Sequence, residues 1–73
     1  MTQRVKIGKR LRELRKSRGL TQQELANMLD VTTSAVGMYE QDRRHPNYKV
    51  LIQYSKYFNV SIDYIIIGEE NDR

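Results

Sequence analysis

The sequence predicts an all-α domain of five short helices, and a connector that occurs three times is the main evidence for it. Gly19-Leu20-Thr21, Asp30-Val31-Thr32 and Asn59-Val60-Ser61 follow one chemical pattern. The first residue tolerates left-handed backbone just past a helix end, and the aliphatic residue folds back onto the last turn. The hydroxyl side chain then suits the N-cap of the next helix. Apolar residues recur at helical spacing between these connectors, and no segment has the pattern of a strand.

The helices are predicted over about residues 5–18, 22–29, 33–41, 48–58 and 62–67. Thr21-Gln22-Gln23-Glu24 matches a capping box, and Asn47 is the predicted N-cap of the fourth helix. The residues predicted to face the core are Ile7, Leu11, Leu14, Leu25, Ala26, Leu29, Val36, Tyr39, Tyr48, Leu51, Ile52, Ser55 and Phe58, with Tyr54, Ile62 and Ile65 as further candidates. Residues 1–68 are thus predicted to form one domain, followed by a polar tail over 69–73.

The charge distribution predicts a polyanionic partner. The chain has 73 residues and a net charge of +4, and residues 1–18 hold eight Lys or Arg against the single acid Glu13. Such asymmetry is typical of nucleic-acid binding. The alternatives are a solvated helix face and a membrane surface, but a membrane-binding helix would carry Trp or Phe on a broad apolar face. The absence of cysteine excludes disulfides and fits a reducing cytoplasm.

The second and third helices, Thr21 to Glu40, match a helix-turn-helix motif because a turn of three or four residues joins them. Ala26 is small where the two helices must approach. The outward positions of the third helix are Thr33, Ser34, Gly37, Met38 and Gln41, and none is charged. A major groove about 12 Å wide admits a helix with short side chains of this kind. The alternative is an ordinary exposed helix built from weak helix formers.

The stretch from Ile7 to Ile66 resembles the Xre or Cro/repressor family of DNA-binding proteins. The resemblance is carried by a basic helix with LRELR, by GLTQQELA, by a helix ending in YE, by a basic loop with a proline and by NVSIDYII. It implies a five-helix lambda repressor-like fold, operator DNA as the ligand, a homodimer, and the third helix as the recognition helix. Asp30 stands where many members of the family have glycine, so slight strain is expected at this turn.

The resemblance also implies roles for individual residues. The residues implied to read or approach bases are Thr32, Thr33, Ser34, Gly37 and Met38. The residues implied to contact phosphates are Gln22, Arg43 and Arg44, and the basic residues Arg10 and Lys9 of the first helix are predicted to contact phosphates as well. Arg15 and Glu40 match positions that form a partly buried ion pair, which would hold the recognition helix against the first helix. Discrimination is expected to rest on Thr33 and Ser34 together with DNA shape.

The C-terminal third is more apolar than a small core needs. Tyr57, Tyr64 and Ile67 are the hardest to bury and are predicted to form a two-fold dimer interface. Half-sites about one helical turn apart, roughly 34 Å, would follow. The alternative is that these side chains pack within one chain.

Catalysis and cofactors are not expected. The carboxylates show no paired arrangement, His45 is the only histidine, and the chain has no cysteine, so no metal site is predicted. The chain is therefore predicted to be a transcriptional regulator that binds double-stranded DNA sequence-specifically, and the sequence favours a repressor. It is expected in the cytoplasm, on the nucleoid when bound to DNA. Two rivals remain: an antitoxin or adaptor that uses the same fold to bind protein, and non-specific nucleic-acid binding through the first helix alone.

Overall fold

The computed structural model describes residues 6–68, and the predicted all-α architecture is confirmed over this range. The five helices are α1 (Gly8–Ser17), α2 (Gln22–Leu29), α3 (Thr33–Glu40), α4 (Tyr48–Phe58) and α5 (Ile62–Ile67). The predicted start of the first helix at Val5 and the predicted polar tail over 69–73 lie outside the described residues. Arg18 and Gln41, predicted as helical, are instead the C-caps of α1 and α3.

The three connectors have the predicted geometry. Gly19, Asp30 and Asn59 adopt positive φ angles of 67°, 59° and 55°. The hydroxyl oxygen at the end of each connector accepts a hydrogen bond from a backbone N–H in the first turn of the next helix, at 2.9 or 3.0 Å. The predicted capping box is also present, because the Glu24 carboxylate accepts from the backbone N–H of Thr21 at 2.8 Å. Helices α2, α3 and α5 are therefore begun by chemistry that is local in sequence.

The first helix is an exception, because its N-terminus is capped from a distant part of the chain. Ile7 occupies the N-cap position, and its apolar side chain cannot accept a capping hydrogen bond. Instead, Oδ1 of Asp42, in the loop after α3, accepts from the backbone N–H groups of Ile7 and Gly8, both at 3.0 Å. A Cβ atom built on Gly8 would lie 2.4 Å from the carbonyl oxygen of Glu40. Helix α1 can therefore approach the end of α3 only with glycine at this position.

The core lies where the five helices meet. Its buried apolar residues are Ile7, Leu11, Leu25, Ala26, Leu29, Ala35, Val36, Tyr39, Val50, Leu51, Tyr54, Phe58 and Ile65. Leu14, Leu20, Val31 and Val60 pack against them and are partly buried. The aliphatic residue of every connector thus covers the edge of the core, as the connector pattern predicts.

The prediction for the buried face of α4 was wrong at two positions. Tyr48 is 86% exposed and Ile52 is 44% exposed, whereas both were predicted to face the core. Helix α4 contains two overlapping apolar ladders at a spacing of four residues, and the other ladder (Val50, Tyr54 and Phe58) is the buried one. That ladder shares its side of the helix with Leu51, so burying it removes more apolar surface from water.

Candidate nucleic-acid interface

The outward face of α3 forms one side of a shallow depression of about 290 Å³. The residues that line it are Gln22, Thr33, Ser34, Gly37, Met38, Gln41 and Arg43. The opposite face of α3 is anchored in the core by Ala35, Val36 and Tyr39. Four of the five predicted base-reading residues therefore lie together on one surface, which carries short or flexible side chains and no carboxylate.

Thr32, the fifth predicted base-reading residue, is the N-cap of α3. Its Oγ1 atom accepts a hydrogen bond from the backbone N–H of Ala35 at 3.0 Å. The oxygen is therefore engaged in starting the helix, while the hydroxyl hydrogen can still donate.

The only carboxylate on α3 points away from this surface. Glu40 is paired with Arg15: Nε donates to Oε2 at 2.7 Å and Nη2 donates to Oε1 at 3.0 Å. The two side chains are 11% and 3% exposed for Arg15 and Glu40 respectively. A further hydrogen bond runs from Nη1 to the carbonyl oxygen of Leu20 at 2.8 Å, so all three nitrogen atoms of the guanidinium group donate. The geometry is the bidentate one that favours Arg over Lys.

The ion pair shapes the electrostatics of its surroundings. The hydrogen bond to Glu40 raises the pKa of Arg15, so the guanidinium group stays charged at every relevant pH. Burial, reinforced by the nearby Glu40 charge, raises the pKa of Tyr54, so its phenol stays neutral beside the pair. The predicted Arg15–Glu40 pair is present, and it neutralises the one negative charge of α3.

Gln22, at the start of α2, links the ion pair to the outward face of α3. Its Nε2 atom donates to Oε1 of Glu40 at 3.1 Å. A carboxylate can only accept hydrogen bonds, so the amide nitrogen must face Glu40. The amide lies across Gly37, where an added Cβ atom would be 3.9 Å from both Nε2 and Oε1. The second N–H and the carbonyl oxygen of Gln22 remain available to a ligand.

The loop after α3 carries exposed cations at the edge of the depression. Arg43 and Arg44 are both exposed, and the backbone N–H of Arg43 donates to the carbonyl oxygen of Met38 at 2.9 Å. This bond closes the end of α3 and fixes where the loop begins. Lys9, another predicted phosphate ligand, is exposed on α1. Within residues 6–68, none of these three side chains has a hydrogen-bond or ion-pair partner.

Arg10 is a predicted phosphate ligand, but its side chain is engaged within the fold. Its Nε donates to the carbonyl oxygen of Ile65 at 2.9 Å, and its Nη2 donates to that of Ile66 at 3.0 Å. Arg10 thereby caps the C-terminus of α5. Arg18 acts similarly on α4, since Nη1 donates to the carbonyl oxygen of Tyr57 at 3.1 Å. Arg10, Arg15 and Arg18 thus hold other parts of the fold. Fewer of the N-terminal cations are therefore free to bind a ligand than the count of charges in the sequence suggests.

Sequence reasoning missed Arg12, which belongs to a second depression of about 340 Å³ beside the first. The residues that line it are Arg12, Arg15, Gln22, Glu40 and Gln41. Arg12 is exposed and places a cation beside the start of α2. The signal was present, because Arg12 lies three residues before Arg15 and so shares its side of α1.

The residues predicted for the dimer interface differ in exposure. Ile67 is 65% exposed, Tyr57 is 41% exposed, and Tyr64 is half-buried. The hydroxyl group of Tyr57 donates to the carbonyl oxygen of Met28 at 2.9 Å. Tyr57 therefore ties the end of α4 to the end of α2. Next to Ile67, the side chain of Ile66 is 38% exposed and adds to the apolar surface of α5.

Relatives in sequence are bacterial regulators. YqaE of Bacillus subtilis (strain 168), an HTH-type transcriptional regulator, is 43% identical over 63 residues, which are 86% of this chain and 54% of YqaE. ImmR of the same organism is 38% identical over 66 residues, which are 90% of this chain and 52% of ImmR. The chain spans about half the length of these relatives. Within residues 6–68, no helix is long and apolar enough to cross a membrane.

Solved structures with the same fold include proteins bound to DNA. The P22 c2 repressor in complex with a synthetic operator superposes with a TM-score of 0.83 at 32% identity, over 93% of this chain and 100% of that one. SinR, the master regulator for biofilm formation, in complex with DNA gives a TM-score of 0.72 at 28% identity, over 81% of this chain and 95% of that one. The helix-turn-helix family model matches residues 11–65. On this agreement of sequence and fold, the chain belongs to the Cro/C1-type helix-turn-helix family.

Proposed function

We propose that this chain is a sequence-specific, double-stranded DNA-binding transcriptional regulator that acts as a repressor. The observation that carries the proposal is the inward turn of the Glu40 carboxylate, which leaves the outward face of α3 without negative charge. DNA carries one negative charge per about 1.7 Å of helix axis, so a carboxylate on this face would oppose binding.

Two kinds of contact would contribute. Thr33, Ser34 and Met38 on α3 would meet base edges in the major groove, through hydroxyl groups that donate or accept and a thioether that can pack on a thymine methyl. Gly37 would leave room for close approach.

Gln22 and the exposed cations Lys9, Arg12, Arg43 and Arg44 would contact phosphates, which fix the position of the domain without reading sequence. Arg10 is omitted because its guanidinium group caps α5.

The active form would be a homodimer whose interface includes Ile67, Tyr64 and the exposed ring of Tyr57. The exposed, neighbouring side chains of Ile66 and Ile67 on the short helix α5 support this assignment, because contiguous exposed apolar surface often marks a protein–protein interface. A two-fold dimer would present two copies of α3 to half-sites about 34 Å apart. Regulation of this kind takes place in the cytoplasm, on the nucleoid, and requires no cofactor and no catalytic step.

The test is a binding selection on random duplex DNA, followed by salt titration of the selected sequence. Thr33→Ala/Ser34→Ala should change or abolish the consensus. Arg43→Ala/Arg44→Ala should weaken binding to all sequences and lower the slope of log Kobs against log salt by about 2. Lys16→Ala/Lys56→Ala removes two exposed charges outside the depression and is the matched control.

The outcomes separate the proposal from its rivals. A palindromic consensus that depends on α3 supports the repressor. Binding without a consensus, unaffected by the α3 substitutions, would indicate non-specific binding through α1. Absence of DNA binding would contradict the proposal and favour the antitoxin or adaptor, in which Thr33, Ser34 and Met38 contact a protein.

A further inference from the structure

The loop that follows α3 is tied to the start of α1 by one side chain. Asp42 has a φ of 59°, in the left-handed region that non-glycine residues seldom adopt. Its Oδ1 atom accepts from the backbone N–H groups of Ile7 and Gly8. These are two of the donors that a helix N-terminus leaves without partners inside the helix.

Three features of the start of α1 favour the Asp42 carboxylate at this place. The start of α1 has no side-chain cap from its own segment. Gly8 lies directly against the backbone of Glu40, so the last turn of α3 and the first turn of α1 are in contact beside the Asp42 bonds. A carboxylate is also favoured at this place by the positive end of the α1 dipole.

Arg43 and Arg44 follow Asp42 directly and are exposed. The backbone N–H of Arg43 is fixed to the carbonyl oxygen of Met38 on one side, and Asp42 is fixed to α1 on the other. The backbone at the base of the two arginines is thus held at two points. Pre-ordering of this kind lowers the entropy lost when side chains meet a ligand.

We infer that Asp42 is a positioning residue for DNA binding: it holds the loop so that Arg43 and Arg44 meet the phosphate backbone. This inference rests on the proposed function, and it assigns to an acidic residue a favourable role in binding a polyanion. Asp42 acts through the two arginines and does not itself contact DNA.

The salt dependence of binding tests this role, because a loss of stability alone does not change the number of phosphates neutralised. Asp42→Gly keeps the positive φ without steric cost and removes the carboxylate. We expect the slope of log Kobs against log salt to fall by about 1 to 2, toward the value of Arg43→Ala/Arg44→Ala. In the combined variant with all three substitutions, we expect no further loss of affinity beyond about twofold, because coupled residues are not additive.

Two further variants control for charge and for hydrogen bonding. Asp30→Gly makes the same substitution at a φ of 59° in the turn between α2 and α3, and it also raises the net charge by one. It should keep the slope of the unchanged protein. Asp42→Asn keeps an oxygen acceptor for Ile7 and Gly8, and its affinity should stay within about threefold of the unchanged protein. Circular dichroism at the assay temperature checks that each variant is folded.

A measurement on the unchanged protein does not depend on any variant folding. Addition of the selected duplex should slow amide hydrogen exchange at Ile7 and Gly8, because bound arginines would stabilise the loop that holds them.

The inference is overturned if Asp42→Gly retains the full slope, if Asp42→Asn behaves like Asp42→Gly, if the losses of Asp42→Gly and the arginine substitutions multiply, or if exchange at Ile7 and Gly8 is unaffected by DNA. In each case the arginine substitutions would still report on DNA binding, so the proposed function could stand. A protein that does not bind DNA at all would overturn both.

Discussion

Two glycines in helices show how one residue type serves opposite purposes. Gly8 is required by contact, since an added Cβ would collide with the backbone of Glu40. Gly37 is not required by contact, since an added Cβ would lie at an ordinary 3.9 Å from the Gln22 amide. Gly37 therefore weakens α3 with no packing reason within the described residues, which fits a position kept open for a ligand.

Substitution of these glycines should have opposite effects on stability. Gly37→Ala should raise the free energy of unfolding by up to about 1 kcal/mol, because alanine is the better helix former. It should also weaken binding to the selected operator, because the methyl group occupies space on the outward face of α3. Gly8→Ala should destabilise the fold. Urea denaturation measures both, and a destabilised Gly37→Ala protein would contradict the account of α3.

Arg15 shows how a cation can serve structure in a DNA-binding domain. Arg15→Ala strands the buried carboxylate of Glu40, so the free energy of unfolding should fall by about 3 kcal/mol or more. Arg12→Ala, on the same helix but exposed, is the control and should change it by no more than about 0.5 kcal/mol. Equal losses for the two variants in urea denaturation would show that the ion pair contributes little.

At the scale of the helix, ends fall into two groups. Helices α2, α3, α4 and α5 begin at N-caps that are local in sequence: Thr21, Thr32, Asn47 and Ser61. The start of α1 depends on Asp42, which is distant in sequence. The end of α5 combines a local C-cap, Gly68 at a φ of 89°, with hydrogen bonds from the distant Arg10. The local ends are legible as motifs, whereas the distant ones exist only once the chain has folded.

Helix α5 has six residues and is too short to persist without tertiary support. Arg10→Ala removes two charge-assisted hydrogen bonds to the last carbonyl groups of α5, one part-buried and one exposed. Amide hydrogen exchange in α5 should therefore accelerate, while the neighbouring exposed Lys9→Ala leaves it unchanged.

The same Arg10→Ala variant tests the original assignment of Arg10 to DNA. A capping residue predicts a salt slope close to that of the unchanged protein. A fall in the slope by about 1 would instead mean that Arg10 contacts a phosphate after all.

At the scale of the domain, residues 6–68 present two surfaces that the proposed function uses. One is the α3 face with its flanking cations, and the other is the apolar end of α5. Ile67→Glu should weaken self-association by at least about tenfold, because a charge would be buried in the interface of both copies. Analytical ultracentrifugation over a range of protein concentrations measures this.

Ile52→Glu is the matched control for the dimer. Ile52 is also exposed, at 44%, and lies about 140° around α4 from Tyr57. Its substitution should leave association unchanged. A protein that is monomeric at high concentration would contradict the homodimer. An association that Ile52→Glu weakens as much as Ile67→Glu would place the interface elsewhere.

The sequence alone determined the helix count, three of the turns, the helix-turn-helix pair and the uncharged face of α3, because each depends on residues within a few positions of one another. The Arg15–Glu40 pair was reached only through resemblance to a family. Local propensity and periodicity are properties of short segments, so they survive without knowledge of the fold.

Tertiary structure alone decided which apolar ladder of α4 is buried, which arginines remain free, and what caps α1. Tyr48 and Ile52 satisfy helical spacing as well as Val50 and Tyr54 do, and only packing against the other helices separates them. Arg10 and Arg18 look like exposed cations in the sequence, yet carbonyl groups far along the chain engage them. Asp42 reaches α1 across 35 residues. Such contacts form between segments with no local relation, so no local pattern can predict them.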